Sequence, residues 1–457
     1  MSDLNVLLVC YAFPPAGGTG VMRAASLARY LPGEGIRLDV LTTRNASAVG
    51  TDSSLLKDIP ADVRIHRTLT LDLPFGIKKG IKKLLMGKKP AAGAAPAAGQ
   101  EAKHGGIKKI LENILVPDPQ VTWYPVLTRA ARRIVKKRKI DLVLITAPPF
   151  SNLLLVENLR KAFPDLPVVV DFRDEWLTTA FELVSFLFSR SEHARETAGR
   201  IEARAVTGAT AVVAVTEAAR RKIHSRYPNL PESKFHLIPN GYDATKLVRS
   251  EAAPRAGDRI IVTHVGTIYT STEPTALVTA VESLPPEVRS RFLFRFVGHI
   301  EEPRFRDAIL KLGDAVELKG YLPQREALAL MNETDYVLLI NHDPLNVGGK
   351  FYDYVGGGKP ILGAVHPEGE TRRLFEELRA GWWAPVEDVE GIRKLFLDAA
   401  SRGKAPFADF DPDTDRIAQY ERKALARRYA ALLCSVAGAA RETHTEAEAA
   451  VAARGQS

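Results

Sequence analysis

Apolar runs of strand length alternate with stretches of helical spacing along most of the 457-residue chain. Residues 5–10 ("NVLLVC") form such a run, 24–31 follow with helical spacing, and 36–41 make a second strand candidate. The order strand, loop, helix, strand predicts a βαβ unit and a parallel sheet. The pattern continues through "IDLVLITAP" (140–148), "LPVVVDFRD" (166–174) and "ATAVVAVT" (209–216). Runs apolar on both sides are what a sheet covered by helices on each face requires. A second series begins after "IPNGYD" (238–243) and a polar stretch ending at Asp258. It holds "RIIVTHVGT", "FLFRFVG", "AVELKGYL", "DYVLLIN" and "GKPILGA", with helical stretches between them. Two doubly wound α/β domains are therefore predicted, over residues 1–245 and 258–412. A helical segment over 413–440 and a frayed Ala- and Glu-rich tail over 441–457 complete the chain.

Composition narrows this picture in two places. The chain is long enough for two full cores, and no uninterrupted apolar run reaches membrane-spanning length. The N-terminus carries no basic region or cleavage pattern, so no signal peptide is expected. The two cysteines, Cys10 and Cys434, both lie in apolar segments and read as reduced core residues of a cytoplasmic protein. The net charge of +9 is uneven: residues 77–109 hold nine lysines and one acid, Glu101. Within that insert, 88–106 is low in complexity and is expected to be disordered. A solvated charge run is one reading of the insert. A nucleic-acid surface would want interleaved aromatics, which are absent here, so no nucleic acid is expected. Lysines mixed with Ile, Leu and Met also suit an anionic membrane surface, at about 1 kcal/mol per basic residue. On that reading, deleting 77–109 lowers binding to anionic vesicles and spares nucleotide binding.

Chemistry gathers first at "PPAGGTGVMR" (14–23). Gly17, Gly18 and Gly20 lie between a strand and a helix, where backbone N–H groups can meet a phosphate. A tight turn with no ligand is the alternative. The dinucleotide fingerprint is incomplete, because Arg23 stands where its third glycine belongs. No phosphate P-loop is present either, since neither "GKF" nor "GKP" fits its pattern. "DFDPDTD" (409–415) lacks the glycine and closing glutamate of a calcium loop and reads as a helix cap.

Taken together, "FPPAGGTGVMR", "VVVDFRDEW", "AVTEAARRKI", "IPNGYD", "HVGTIY", "VELKGYLPQREALALMNETDYVLLI" and "KFYDYVGGGKPIL" carry a resemblance. In order and spacing the chain resembles the GT-B glycosyltransferases, specifically the retaining family-four group, over roughly residues 5–440. The resemblance implies two Rossmann-like domains facing across a cleft, with the C-terminal helix returning to the N-terminal domain. It implies a metal-independent enzyme without a cofactor. Such an enzyme moves a sugar from a nucleotide-diphosphate sugar to a glycan or lipid-linked acceptor. The expected place is the cytoplasm, peripheral at the inner face of the membrane. A sugar-nucleotide epimerase, a phosphorylase, and a non-catalytic nucleotide-sugar-binding or assembly protein are the alternatives.

The resemblance also assigns candidate residues. Without a metal, the departing diphosphate needs cations and N–H dipoles. Lys350 in "GGKFYDY" is the best cation, set against a solvated surface lysine. Gly17, Gly18 and Gly20 would approach the diphosphate, with Arg23 as a helper. Gly266, Thr267, Gly298 and Tyr321 fall in the donor-binding stretches of the second domain. Family members carry an Arg and a Lys where this chain has Thr267 and, approximately, Glu273. The second glutamate of the family's acidic motif corresponds to Asp353, which would hold the ribose. The first falls at Leu345, so Asp343 or the backbone of 346–348 would have to meet the sugar hydroxyls. In "DFRDEW", Arg173 replaces a histidine common in relatives, and Asp171, Arg173 and Asp174 are catalytic candidates. An ion pair that locks the loop has comparable weight. Trp176 fits a sugar stack or a buried core residue, and His264 and His299 fit base contacts or structural roles. Glu217 reads as a helix opener, and Asn240 and Gly241 as an interdomain turn.

Overall fold

The computed structural model describes residues 4–46, 51–70, 116–178, 192–247, 258–405 and 407–454. The lysine-rich segment 77–109 lies outside the described residues. Two compact units emerge. The first comprises residues 1–214, 222–237 and 426–457, and the second 215–221 and 238–425.

The first unit is built on a seven-stranded sheet, β3-β2-β1-β4-β5-β6-β7, parallel throughout. Its strands are β1 (Leu4–Val9), β2 (Ile36–Thr43), β3 (Arg64–Thr68), β4 (Leu142–Ala147), β5 (Val168–Phe172), β6 (Ala211–Ala214) and β7 (Phe235–Leu237). Every residue of β4, β5 and β6 is buried, in keeping with their mainly apolar sequence, the polar exceptions being Thr146 and Asp171. The strand order reverses between β1 and β4, the switch point outside whose carboxyl ends α/β sheets place ligands.

The second unit repeats the plan with six parallel strands, β10-β9-β8-β11-β12-β13. They are β8 (Ile260–Val265), β9 (Phe292–Val297), β10 (Val316–Gly320), β11 (Tyr336–Asn341), β12 (Ile361–Val365) and β13 (Gly381–Pro385). Alternation along β11 feeds two cores. Tyr336, Leu338 and Ile340 pack with Phe292, Phe294 and Phe396 on one face. Val337 and Leu339 pack with Phe351, Tyr352 and Phe375 on the other. The switch point here lies between β8 and β11.

Three edge or near-edge elements escape the sequence pattern. β3 reads "RIHRT" with no fully buried residue, β7 has three residues, and β13 is "GWWAP". Each stands at the edge of its sheet, where one-sided pairing demands less apolar sequence. The last helix also departs from expectation. It runs Arg422–Arg454, so most of the segment expected to fray is helical, in keeping with the high helix propensity of Ala and Glu. From Ala426 onward this helix belongs to the first unit. Cys10 is buried as expected, but Cys434 is exposed on that helix. Among the described residues no helix is long and apolar enough to cross a membrane.

Candidate functional site

In the second unit three adjacent strands end on glycine. Gly266 follows β8, Gly298 follows β9, and Gly320 closes β10, with φ of 137°, 137° and 67°. Gly266 N–H donates to Val297 O at 2.7 Å and Gly298 N–H to Gly320 O at 2.7 Å, so the three strand ends are stitched together. The spacing leaves no room for side chains. A Cβ on Gly298 would sit 2.3 Å from Gly266 O, and one on Gly266 would sit 2.4 Å from Lys350 Nζ. The absence of a side chain at Gly266 is thus what lets the lysine ammonium rest on the strand end.

Lys350 is the second residue of the helix Gly349–Gly356. Tyr354, one turn further on, anchors that helix to β8, because its hydroxyl accepts the Val265 N–H at 2.8 Å. Residues at i and i+4 share a helix face, so the same docking brings Lys350 over Gly266. Below it lies His264, fully buried in β8. The His264 Nδ1 is 3.1 Å from Leu338 O, and its Nε2 is 3.3 Å from Lys350 Nζ. Burial, and then the charge of Lys350, hold His264 well below its ordinary pKa of 6.5, so the ring is neutral. A carbonyl cannot donate, so a proton on Nδ1 satisfies Leu338 O and leaves Nε2 to accept one from the ammonium, while the Gly266 backbone also bonds the ring. Burial brings the Lys350 ammonium down to about 8, and among the described residues no carboxylate forms an ion pair with it.

Other donor-side candidates surround this point. Asp353 is half-buried on the same helix. Burial pushes its carboxyl up to about 6, with Arg422 pulling down and Asp243 pushing up. Tyr321 is 53% exposed and its ring stacks on exposed His299 at 5.2 Å between centroids and 15° between planes. Thr267 is half-buried, and its carbonyl accepts from Thr272 Oγ1 at 3.2 Å. Asp343 does not present a free carboxylate. Its oxygens accept from Leu345 N–H, Asn346 N–H and Asn346 Nδ2 at 2.8, 3.1 and 2.9 Å, which folds the loop after β11 on itself. Leu345 O in turn accepts from Thr216 Oγ1 at 2.6 Å.

In the first unit, the strand end "DFRD" gives a different answer. Asp171 is fully buried and accepts from Arg23 Nε and Nη2 at 3.0 and 2.9 Å. Tyr429 of the C-terminal helix donates its hydroxyl to Asp171 Oδ1 at 2.8 Å and accepts from Arg23 Nη2 at 2.5 Å. Burial pulls against the charge on Arg23, and Asp171 and Tyr429 more than offset it. Asp171 is therefore the centre of an ion-pair lock and not a group facing a sugar, and Arg23 is committed to it instead of to a diphosphate. The sequence separates these partners by up to 406 residues, which is why only Asp171 and Arg23 could be singled out. Arg173 donates to the carbonyls of Gly20 and Pro148, so it pins the glycine loop from behind. Gly18, with φ 95°, precedes the helix Thr19–Tyr30; Gly17 is buried, and Gly18 and Gly20 are exposed. Asp174 is exposed. Trp176 is buried and stacks on Phe150 at 4.4 Å, so it is a core residue and offers no sugar platform.

The remaining candidates are structural. Glu217 opens the helix Glu217–Ser225 and pairs with Arg220 and Arg221, whose hydrogen bonds bring its carboxyl down to about 2. Gly241 has Tyr420 O within 2.1 Å of where a Cβ would stand, a close approach only glycine permits. In the acidic run 409–415, Asp409 pairs with Arg402 and Asp411 with Arg379, while Asp413 caps the helix Thr414–Ala418.

Two Rossmann-like units with glycines at their switch points invite comparison with known proteins. Residues 91–246 match the model of Glycosyltransferase Family 4. The resemblance to glycosyltransferases in sequence is thus borne out over those residues, and the fold extends it. Among solved structures, sucrose-phosphate synthase from Thermosynechococcus elongatus has a TM-score of 0.57 at 13% identity. That match covers 98% of this chain and 100% of that one. HepE from Anabaena, solved with UDP, scores 0.56 at 14% identity over 97% and 100% of the two chains. WaaG, a glycosyltransferase of lipopolysaccharide biosynthesis, scores 0.54 at 15% identity over 93% and 95%. At these identities the likeness establishes the GT-B glycosyltransferase fold. No curated protein sequence matches the chain significantly.

Proposed function

We propose that the protein is a retaining glycosyltransferase whose second unit binds a nucleotide-diphosphate sugar. One observation carries the reading. Lys350 is half-buried and holds its ammonium against a three-strand glycine edge, with no carboxylate partner among the described residues. A partly desolvated cation without a counter-ion is costly, and a diphosphate supplies the missing charge. In this reading Asp353 accepts the ribose hydroxyls, and the exposed face of Tyr321 lies where a base can stack. Gly266, Thr267 and Gly298 let the diphosphate approach the backbone.

The chemistry follows from that charge. The bond between the anomeric carbon and the β-phosphate oxygen breaks, and the electron pair leaves with the diphosphate. A new bond forms to an acceptor hydroxyl on the same face, and the hydroxyl proton passes to the departing phosphate oxygen. Lys350 stabilises the developing charge where it appears, so neither a metal nor a cofactor is invoked. A glycan or lipid-linked hydroxyl is the acceptor this reading calls for. HepE was also solved with UDP-glucose, which makes uridine donors the first to test. The absence of an acid at Leu345 and the self-satisfied Asp343 favour one rival, a protein that binds the nucleotide without turnover. Release of nucleoside diphosphate from UDP-, GDP- and ADP-sugars separates the two. Turnover that is lost in Lys350→Ala supports the enzyme; UDP binding with no turnover of any donor supports the rival. Absence of both binding and turnover overturns the reading.

A further inference from the structure

We propose that His264 is a positioning residue for Lys350, a neutral acceptor that aims the ammonium without cancelling its charge. This inference rests on the diphosphate reading of Lys350. The geometry that carries it is local. His264 is wholly buried, its Nδ1 faces Leu338 O at 3.1 Å, and its Nε2 faces Lys350 Nζ at 3.3 Å. One ammonium proton is thereby directed inward to the ring, over the bare Cα of Gly266, and two remain for a ligand.

The choice of acceptor matters chemically. A carboxylate at this depth would hold the lysine more strongly but would neutralise it and compete with the diphosphate. An apolar side chain would leave the ammonium unheld, free to swing its flexible stem away from the strand end. A neutral imidazole fixes direction and keeps the full positive charge available. The carbonyl of Leu338, 3.1 Å from Nδ1, favours the tautomer that leaves Nε2 to accept, against the pull of the Gly266 backbone on the same ring. The same carbonyl lies 3.4 Å from the Tyr354 hydroxyl, which anchors the lysine's own helix. Ring tautomer and helix register are thus set by one strand.

The test is UDP binding to the full chain by titration calorimetry at pH 7. His264→Phe keeps the ring and loses the acceptor, and is expected to bind UDP roughly tenfold more weakly, the loss of about one hydrogen bond. His264→Gln restores an acceptor near Nε2 and should come back to within about threefold of the wild type. In a Lys350→Ala background, His264→Phe should have no further effect, the coupling expected of residues that act through one another. Undiminished UDP affinity in His264→Phe, or an equal loss with and without Lys350, would overturn the inference while leaving the diphosphate reading intact. Unchanged affinity in Lys350→Ala instead removes the diphosphate reading itself. A measurement on the wild type does not depend on any variant folding. In a chain labelled with ¹⁵N-histidine, His264 should show the Nδ1–H tautomer at pH 7. The Nε2–H tautomer or a doubly protonated ring refutes the proposal.

Discussion

Replacing Lys350 with methionine should make the ligand-free protein more stable and a poorer nucleotide binder. Burial lowers the lysine from its ordinary 10.5 to about 8. At 1.36 kcal/mol per pH unit, holding that charge in the fold costs about 3 kcal/mol. The sign follows from linkage. The folded pKa lies below the unfolded one, so between about pH 8 and 10.5 the unfolded chain binds more protons. Stability therefore rises with pH across that window, and the cost is fully present below pH 8. Lys350→Met removes the charge at similar length. It leaves His264 Nε2 without a donor, which returns about 1 kcal/mol, so the net gain at pH 7 is about 2 kcal/mol. UDP affinity should fall at least about tenfold, the loss of one charge-assisted hydrogen bond. Native-state hydrogen exchange on peptides spanning residues 260–365 reads the second unit alone. The wild-type rise between pH 8 and 10.5 should be absent in the variant. A variant no more stable than the wild type at pH 7, with the same pH slope, would refute the reasoning.

Two further substitutions probe the rest of the architecture. Gly266→Ala puts a Cβ 2.4 Å from Lys350 Nζ in a backbone conformation that costs about 1–3 kcal/mol for other residues. Its UDP affinity, measured by calorimetry, should drop to that of Lys350→Met, and retention of wild-type affinity would show that the lysine does not need the strand end. In the first unit, Tyr429→Phe should cost about 1–2 kcal/mol, because it removes a buried hydroxyl that bonds both Asp171 and Arg23. Asp171→Ala should cost about 3–5 kcal/mol by stranding the Arg23 charge. Hydrogen exchange over β4 and β5 measures both, and equal costs would contradict the ion-pair lock.

How far these features could be read from sequence depended on range. Strands such as β4, β5 and β11 are buried at every position and carry runs of at least three apolar residues, because both faces are covered, so they stand out unaided. β3, β7 and β13 pair on one side only and carry Arg, His or Pro, so no run marks them. Gly266, Gly298, Lys350 and Asp353 were legible because local motifs contain them. The His264–Lys350 contact joins positions 86 apart, and nothing in "HVGT" announces a lysine above it. A histidine surrounded by β-branched and apolar residues reads as a structural one, and here it is both buried and in contact with the candidate cation. Tyr354 left no signal, since a tyrosine in an apolar helix face looks like core. Asp171 and Arg23 were visible singly, but the residue that completes them stands in the final helix, beyond the whole second unit.

That last arrangement has a consequence for synthesis. A ribosome makes the seven strands of the first unit before any of the second, and domains generally fold as they emerge. Yet the carboxylate in the middle of that first sheet waits for Tyr429, a residue translated after all thirteen described strands. The unit that is made first is finished last. Until then Asp171 has Arg23 as its partner and lacks the hydroxyl that closes the group. A chain stopped at Leu425 would contain every strand of both sheets and still have an incomplete first interior.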